Sequence, residues 1–278
     1  AYTYAGNEID AFGFEALKAC TTGIRNAAFG IYSLDACTTG VYNNAFGYAA
    51  LSAVTTDRDN CAFGSSALLV NTADSNAAYG YYSGVANTTG SSNAFFGYAS
   101  GGACTTGSRN TAIGASANAG TTGSDNTAVG ATAGAAITTG ANNTAIGSDA
   151  LKTNATGSHN IAIGLNALED CTVSNNIAIG VDAATSTTGG YNCAYGYNSL
   201  NALTTGTENA AYGYSTMVNC TTGHSNAGCG SFALQEVSTG TYNCALGPSA
   251  LRRCSTGHHN VAIGHAAGDH VTSGEHNI

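Results

Sequence analysis

Ten cysteines and seven histidines are the side chains here best suited to chemistry, and their spacing limits what that chemistry is. Cys20, Cys37, Cys104, Cys220 and Cys254 each stand six places before an asparagine, Cys171 takes the equivalent place in a shortened stretch, and Cys61, Cys193 and Cys244 directly follow an asparagine. No Cys-x-x-Cys pair occurs, which disfavours a metal-binding or catalytic thiol role. A thiol held at a fixed distance from a recurring asparagine reads as a buried small hydrophobe, free rather than bridged. A Cys20–Cys37 disulfide is the alternative, but parallel stacked side chains seldom present the dihedral that the bond requires. Free thiols fit assembly in a reducing cytosol. His258, His259, His265, His270 and His276 gather near one end, with His259 and His276 sharing a repeat position. Three chains around an axis could gather six such imidazoles as a metal stack, but the isolated His159 and His224 in comparable places read as plain surface turns, and no metal site is expected. Asp57 and Asp59 flank Arg58 in a solvated turn. With no nucleophile motif or phosphate loop, the chain is expected to be neither an enzyme nor the holder of a cofactor.

The elements that position these residues come from a repeat. The string Asn-x-Ala-x-Gly ends at Gly13, Gly30, Gly47, Gly64, Gly80, Gly97, Gly114, Gly130, Gly147, Gly164, Gly180, Gly196, Gly213, Gly230, Gly247 and Gly264, in steps of 17 or 16 residues only. Sixteen copies fill residues 1–278 as one continuous repeat region without a linker. Asn277 opens another copy and Tyr4-Ala5-Gly6 reads as the tail of an earlier one, so the chain is expected to be a segment of a longer fibre protein.

Aligned copies become columns. The first is Asn26, Asn43, Asn60, Asn76, Asn93, Asn110, Asn126, Asn143, Asn160, Asn176, Asn192, Asn209, Asn226, Asn243 and Asn260, with Ile9 in the remaining copy. The third is Ala except at Phe95 and Gly228, and the fourth is bulky, from Phe12 to Ile263, with Cys229 its smallest member. A small residue stands seven places after the Asn, often followed by Leu, and Thr stands four places before the next Asn in fifteen copies. A helix would carry Gly, Thr and Asn in every turn at about 0.5–1 kcal/mol each relative to Ala, which excludes it. Five residues bounded by Gly, with Ala and its bulky neighbour on opposite faces, read as a strand. One copy cannot bury its own apolar face, so copies stack: an all-β parallel β-solenoid (a β-roll), one repeat per coil, about sixteen coils making a rod of roughly 75–80 Å. The fifteen asparagines are expected to form an inward or corner-locked structural ladder, while turn residues such as Ser108 and Ser158 are expected to be exposed. The 16-residue copies should lose their residue in a corner, since a slip within a strand would invert its faces. Adjacent threonines such as Thr21-Thr22 and Thr121-Thr122 are expected to point to opposite faces, which disfavours a doubly threonine-lined face.

Composition agrees. Charged residues make up 8% of the chain against about a quarter in ordinary soluble domains, as expected where identical charges would stack and repel. Disorder is excluded by 43% apolar residues, collagen by a single Pro, and a membrane span by the absence of a long apolar run. A net charge of -9 disfavours nucleic acid as a partner.

The strings Asn110-Thr-Ala-Ile-Gly114, Asn143-Thr-Ala-Ile-Gly147 and Asn160-Ile-Ala-Ile-Gly164, with Ala-Leu and Thr-Thr-Gly between copies, resemble the head repeats of YadA-like trimeric adhesins and the similar repeats in tail fibres of bacteriophages and some large viruses. The resemblance spans the whole chain. It implies a left-handed roll with three chains packed side by side, although those heads use a shorter repeat. The expected function is therefore a structural shaft or head segment of a homotrimeric virus or phage tail fibre, extracellular and virion-attached or cell-surface, that supports attachment to a host receptor or glycan. The alternatives are a bacterial trimeric autotransporter adhesin head binding host matrix or glycan, and an ice-binding solenoid.

Overall fold

The structure, a computed structural model, describes residues 8–118 and 122–278; the Tyr4-Ala5-Gly6 string and Thr121 lie outside the described residues. The chain divides into two compact units, Ala1–Ala141 and Asn142–Ile278. In the first, Asp10–Phe12 (β1), Ala27–Phe29 (β2), Asn44–Phe46 (β3), Cys61–Phe63 (β4), Ala77–Tyr79 (β5), Ala94–Phe96 (β6), Thr111–Ile113 (β7) and Thr127–Val129 (β8) pair in sequence order, all parallel. The second is built alike from Thr144–Ile146 (β9), Ile161–Ile163 (β10), Ile177–Ile179 (β11), Cys193–Tyr195 (β12), Ala210–Tyr212 (β13), Ala227–Cys229 (β14), Cys244–Leu246 (β15) and Val261–Ile263 (β16). Each unit is a parallel β-solenoid with one strand per coil, as the columns require.

The strands span three residues, not five. Asn and Gly at their ends are corner residues, and the remainder of each coil turns on left-handed backbone. Most coils hold non-glycine residues at three positions with φ near +50 to +60°, exemplified by Tyr32 (57°), Leu34 (48°) and Arg25 (57°), with glycine taking the second of them in a few coils, as at Gly84 (59°). Each such residue costs about 1–2 kcal/mol in isolation, so the surroundings must hold it there. They do so through coil-to-coil backbone hydrogen bonds around the contour. Tyr32 donates to Phe14 O (2.9 Å), Leu34 to Ala50 O (3.1 Å) and Thr38 to Thr55 O (2.9 Å). At the strand end only glycine fits: Gly97 has φ +135°, and a Cβ on it would lie 2.7 Å from the Gly114 carbonyl oxygen.

The interior of a coil is narrow. It takes the strand Ala, the following small residue, the left-handed Leu and the column occupied by Cys37 or Val54, as at Ala45, Ala50, Leu51 and Val54, all fully buried. The two breaks in the Ala column are repaired by their neighbours. Phe95 is fully buried where other coils hold Ala, and the two Leu positions beside it are Gly84 and Gly101. A Cβ at Gly84 would lie 2.7 Å from Phe95 Cδ2, and one at Gly101 would enter the ring. Gly228 in turn makes room for Thr216 and Met217: a Cβ there would lie 2.9 Å from Thr216 Cγ2 and 3.0 Å from Met217 Cε.

Ladder register survives every shortened copy. Cys61 stays opposite Ala77, Thr111 opposite Thr127, Ile161 opposite Ile177 and Ile177 opposite Cys193. The missing residue falls between the buried column (Asn71, Cys171, Thr187) and the next Asn, in the corner. For the copy ending at Gly130 this corner includes Thr121, outside the described residues. The threonine column counted back from Asn therefore does not hold through these corners. What stacks is the residue directly after the buried column: Thr21 Oγ1 donates to Thr38 O (3.1 Å), Thr72 to Thr88 O (3.1 Å) and Thr188 to Thr204 O (3.0 Å). Nor do adjacent threonines face opposite ways, since Thr21 and Thr22 are both exposed, as are Thr55 and Thr56. Alternation belongs to extended strands, and this corner is not one.

Candidate interaction face

The asparagine column runs inside each unit. All fifteen members are buried. Asn43 donates its backbone N–H to Asn26 Oδ1 (2.9 Å), and Asn26 Nδ2 reaches forward to Gly40 O (2.7 Å). In both units amides also bond one another, Asn60 Nδ2 to Asn43 Oδ1 (3.1 Å) in the first, and Asn209 Nδ2 to Asn192 Oδ1 (3.2 Å), Asn226 to Asn209 (3.1 Å) and Asn260 to Asn243 (3.0 Å) in the second. One side chain thus serves the backbone of the next coil, its corner glycine and the next amide, using both ends of the amide group. Ser108 and Ser158 join a separate row of corner hydrogen bonds. Contrary to expectation they are half-buried, with Ser108 N–H donating to Ser124 Oγ (3.0 Å) and Ser158 N–H to Ser174 Oγ (2.9 Å).

With Ala turned inward, the bulky column must point out. In the first unit Phe29, Phe46, Phe63, Tyr79 and Phe96 form a ring stack with centroid spacings of 4.9, 4.5, 5.9 and 4.8 Å. In the second, Ile146 and Ile163 lead to Tyr195 and Tyr212, stacked at 5.0 Å. A second exposed row directly follows the glycine: Phe14, Ile31, Tyr48, Tyr81 and Tyr98 in one unit, Leu165, Val181, Tyr197 and Tyr214 in the other. Its signal was in the sequence, as large residues at a fixed offset from glycine. Across the two rows and the first strand position, Asp10 is the one carboxylate among the described residues. Several charges outside these rows pair with opposite charges one coil away: Arg25 with Glu8 (2.6 Å), Arg109 with Asp125 (2.6 Å) and Lys152 with Glu169 (3.4 Å). Arg109 holds the Asp125 carboxyl below the ordinary carboxylate range through this hydrogen bond.

The thiols divide by column. Cys20, Cys37, Cys104, Cys171, Cys220 and Cys254 are buried, as expected, and burial pushes Cys37 and Cys104 up to about 11 and Cys220 to about 12. The cysteines that follow an asparagine do not join them: Cys61 and Cys193 are half-buried and Cys244 exposed, as is Cys229. The first and third strand positions face outward, so these four lie on the apolar face. A thiol-specific reagent at pH 8 is therefore expected to label Cys229 and Cys244 in the native chain and to leave Cys37, Cys104 and Cys220 unlabelled until unfolding, read by peptide mass mapping. Their raised folded pKa values give stability that is fully present below the ordinary thiol value of about 8.5 and is lost as pH rises through 11–12. A melting temperature that does not change between pH 8 and 11 would contradict this.

His259 and His276 stack at 4.9 Å, continuing from Tyr242 at 4.9 Å, and His258 Nδ1 lies 2.8 Å from Thr241 Oγ1. Among the described residues no group of three or more His, Cys, Asp or Glu is placed to hold a metal ion, and no helix is long and apolar enough to cross a membrane. No family model, curated protein or solved structure matches the chain.

Proposed function

We propose that the chain is a structural segment of a homotrimeric fibre, extracellular and of the tail-fibre kind, that supports attachment to a host surface and carries no catalytic activity. The observation behind this reading is the pair of exposed apolar rows in each unit. The coil interior is complete without them, and depletion of charge from such a surface is characteristic of the core of a protein–protein interface. A row of large side chains repeating at the rung spacing, about 4.8 Å, is matched residue for residue only by a partner of the same axial period, and another copy of this chain is the simplest one. Closed rotational assembly places equivalent rows side by side and avoids open-ended association. Multi-angle light scattering on the purified chain is expected to give three times 27.5 kDa. A stable, soluble 27.5 kDa monomer would overturn the proposal.

A further inference from the structure

We infer that Cys229 and Cys244 are the positions at which copies of this chain become joined by intermolecular disulfides, an inference that rests on the proposed packing of copies through the outward face.

Cys229 is the smallest occupant of an outward column otherwise filled by Phe, Tyr, Ile, Val or Leu. The face is consequently hollowed there. Cys229 and Cys244 share the rim of a depression of about 370 Å³ with Ala227, Tyr212 and Leu246, and every lining atom is apolar apart from the two sulfurs. Two exposed thiols in one apolar hollow have no polar partners of their own, and they cannot join each other. The register sets Ala227 opposite Cys244 and Cys229 opposite Leu246. The two cysteines are thus separated by two residues along the strand and one rung across, a Cα separation of about 8 Å. That exceeds the roughly 7 Å beyond which a disulfide needs backbone movement. Other routes within the unit are also closed. Cys193 occupies the Cys244 column three rungs away, and Cys220 and Cys254 are buried in the interior. Oxidation must run outward, to a thiol that does not belong to the same chain.

A second copy supplies one. About a rotational axis parallel to the solenoid, equivalent residues lie at equal height, so where the outward face turns toward the axis each thiol meets its own counterparts and lies near those one rung away. The exchange balances with a low-molecular-weight disulfide as oxidant. The Cys229 or Cys244 thiolate attacks the oxidant's S–S bond and one small thiol leaves. A thiolate of the second copy then attacks the mixed disulfide, forming the interchain S–S bond and releasing the second small thiol.

The full chain, prepared reduced, is treated with oxidised glutathione, then examined on a non-reducing denaturing gel and by peptide mass mapping, with light scattering on the same samples. Covalent dimers and trimers are expected in the parent chain and in Cys61→Ser, and their loss in the Cys229→Ser/Cys244→Ser double variant, whose light-scattering mass should equal the parent's. An oligomer that forms no covalent band, that carries only glutathione on these cysteines, or whose band persists in the double variant overturns the inference and leaves the fibre proposal standing. A monomeric mass by light scattering instead fails the fibre proposal itself.

Discussion

Replacing Asn143, Asn160 and Asn176 together by Ala is expected to lower the stability of the second unit by about 3–9 kcal/mol, the sum of about 1–3 kcal/mol for each buried site left with unpaired partners. Asn160 N–H donates to Asn143 Oδ1 (3.0 Å), Asn176 N–H to Asn160 Oδ1 (2.9 Å) and Asn192 N–H to Asn176 Oδ1 (3.0 Å). Forward of each, Asn143 Nδ2 reaches Gly157 O (2.9 Å) and Asn160 Nδ2 reaches Val173 O (2.8 Å). Alanine removes these donors and acceptors but leaves the backbone groups they served, still away from water. Because solenoid stability is close to a sum over neighbouring coils, three successive lesions concentrate the loss in one stretch, which should open there first. Limited proteolysis is expected to cut between residues 143 and 192, and the melting temperature to fall clearly below that of Thr156→Ser, a change on an exposed corner. A triple variant that melts with the parent chain would mean the amides contribute nothing beyond what water supplies.

The asparagine column illustrates what could be read without coordinates. A residue with two donors and two acceptor sites, recurring where the chain changes direction, has few roles besides tying corners together, and period alone placed it. The direction of the strand was legible to the same extent. Ala and a bulky neighbour alternate, so one of them is inside, and the sequence does not state which. The volume of the coil decides this, and that volume is set by residues elsewhere in the repeat. Leu34, Leu51 and Leu68 fill the space opposite Ala28, Ala45 and Ala62, so no room remains for Phe29, Phe46 or Phe63 within.

What sequence reading could not reach is the left-handed backbone. Leu34, Leu51 and Leu200 adopt φ near +50° although nothing about leucine favours that region. The conformation is imposed by the neighbouring coils, and it follows from the assembled stack rather than from any single repeat. The same cause misled the strand length and the threonine faces. A period-two argument assumes extended chain, and outside the three strand residues this chain is almost all turn. The outward cysteines were missed for a related reason: a cysteine in a column is a small hydrophobe only if the column faces in, and Cys61, Cys193, Cys229 and Cys244 occupy columns that face out.

Phe95→Ala is expected to cost about 3–5 kcal/mol, the range for deleting a fully buried aromatic ring, and that loss should be recovered by refilling the two glycine positions that adjoin it. Phe95 is the largest fully buried side chain among the described residues. The glycines at 84 and 101 stand where the same column carries Leu51 and Leu68, at φ +59°, within the left-handed range the leucines adopt. Their backbone therefore already suits leucine, and only the ring excludes it. Gly101→Leu alone should be strongly destabilising, since its Cβ would overlap the ring, and Gly84→Leu alone should be destabilising by overpacking. In the triple variant Gly84→Leu/Phe95→Ala/Gly101→Leu the coil returns to the composition of its neighbours, and chemical denaturation should find a stability near that of the parent. The coupling is the measurement that matters: contacting core residues show non-additive energies, whereas independent ones add. If the three substitutions simply add, the ring and the glycines do not share one space, and the account of how this core tolerates a phenylalanine in its alanine column fails.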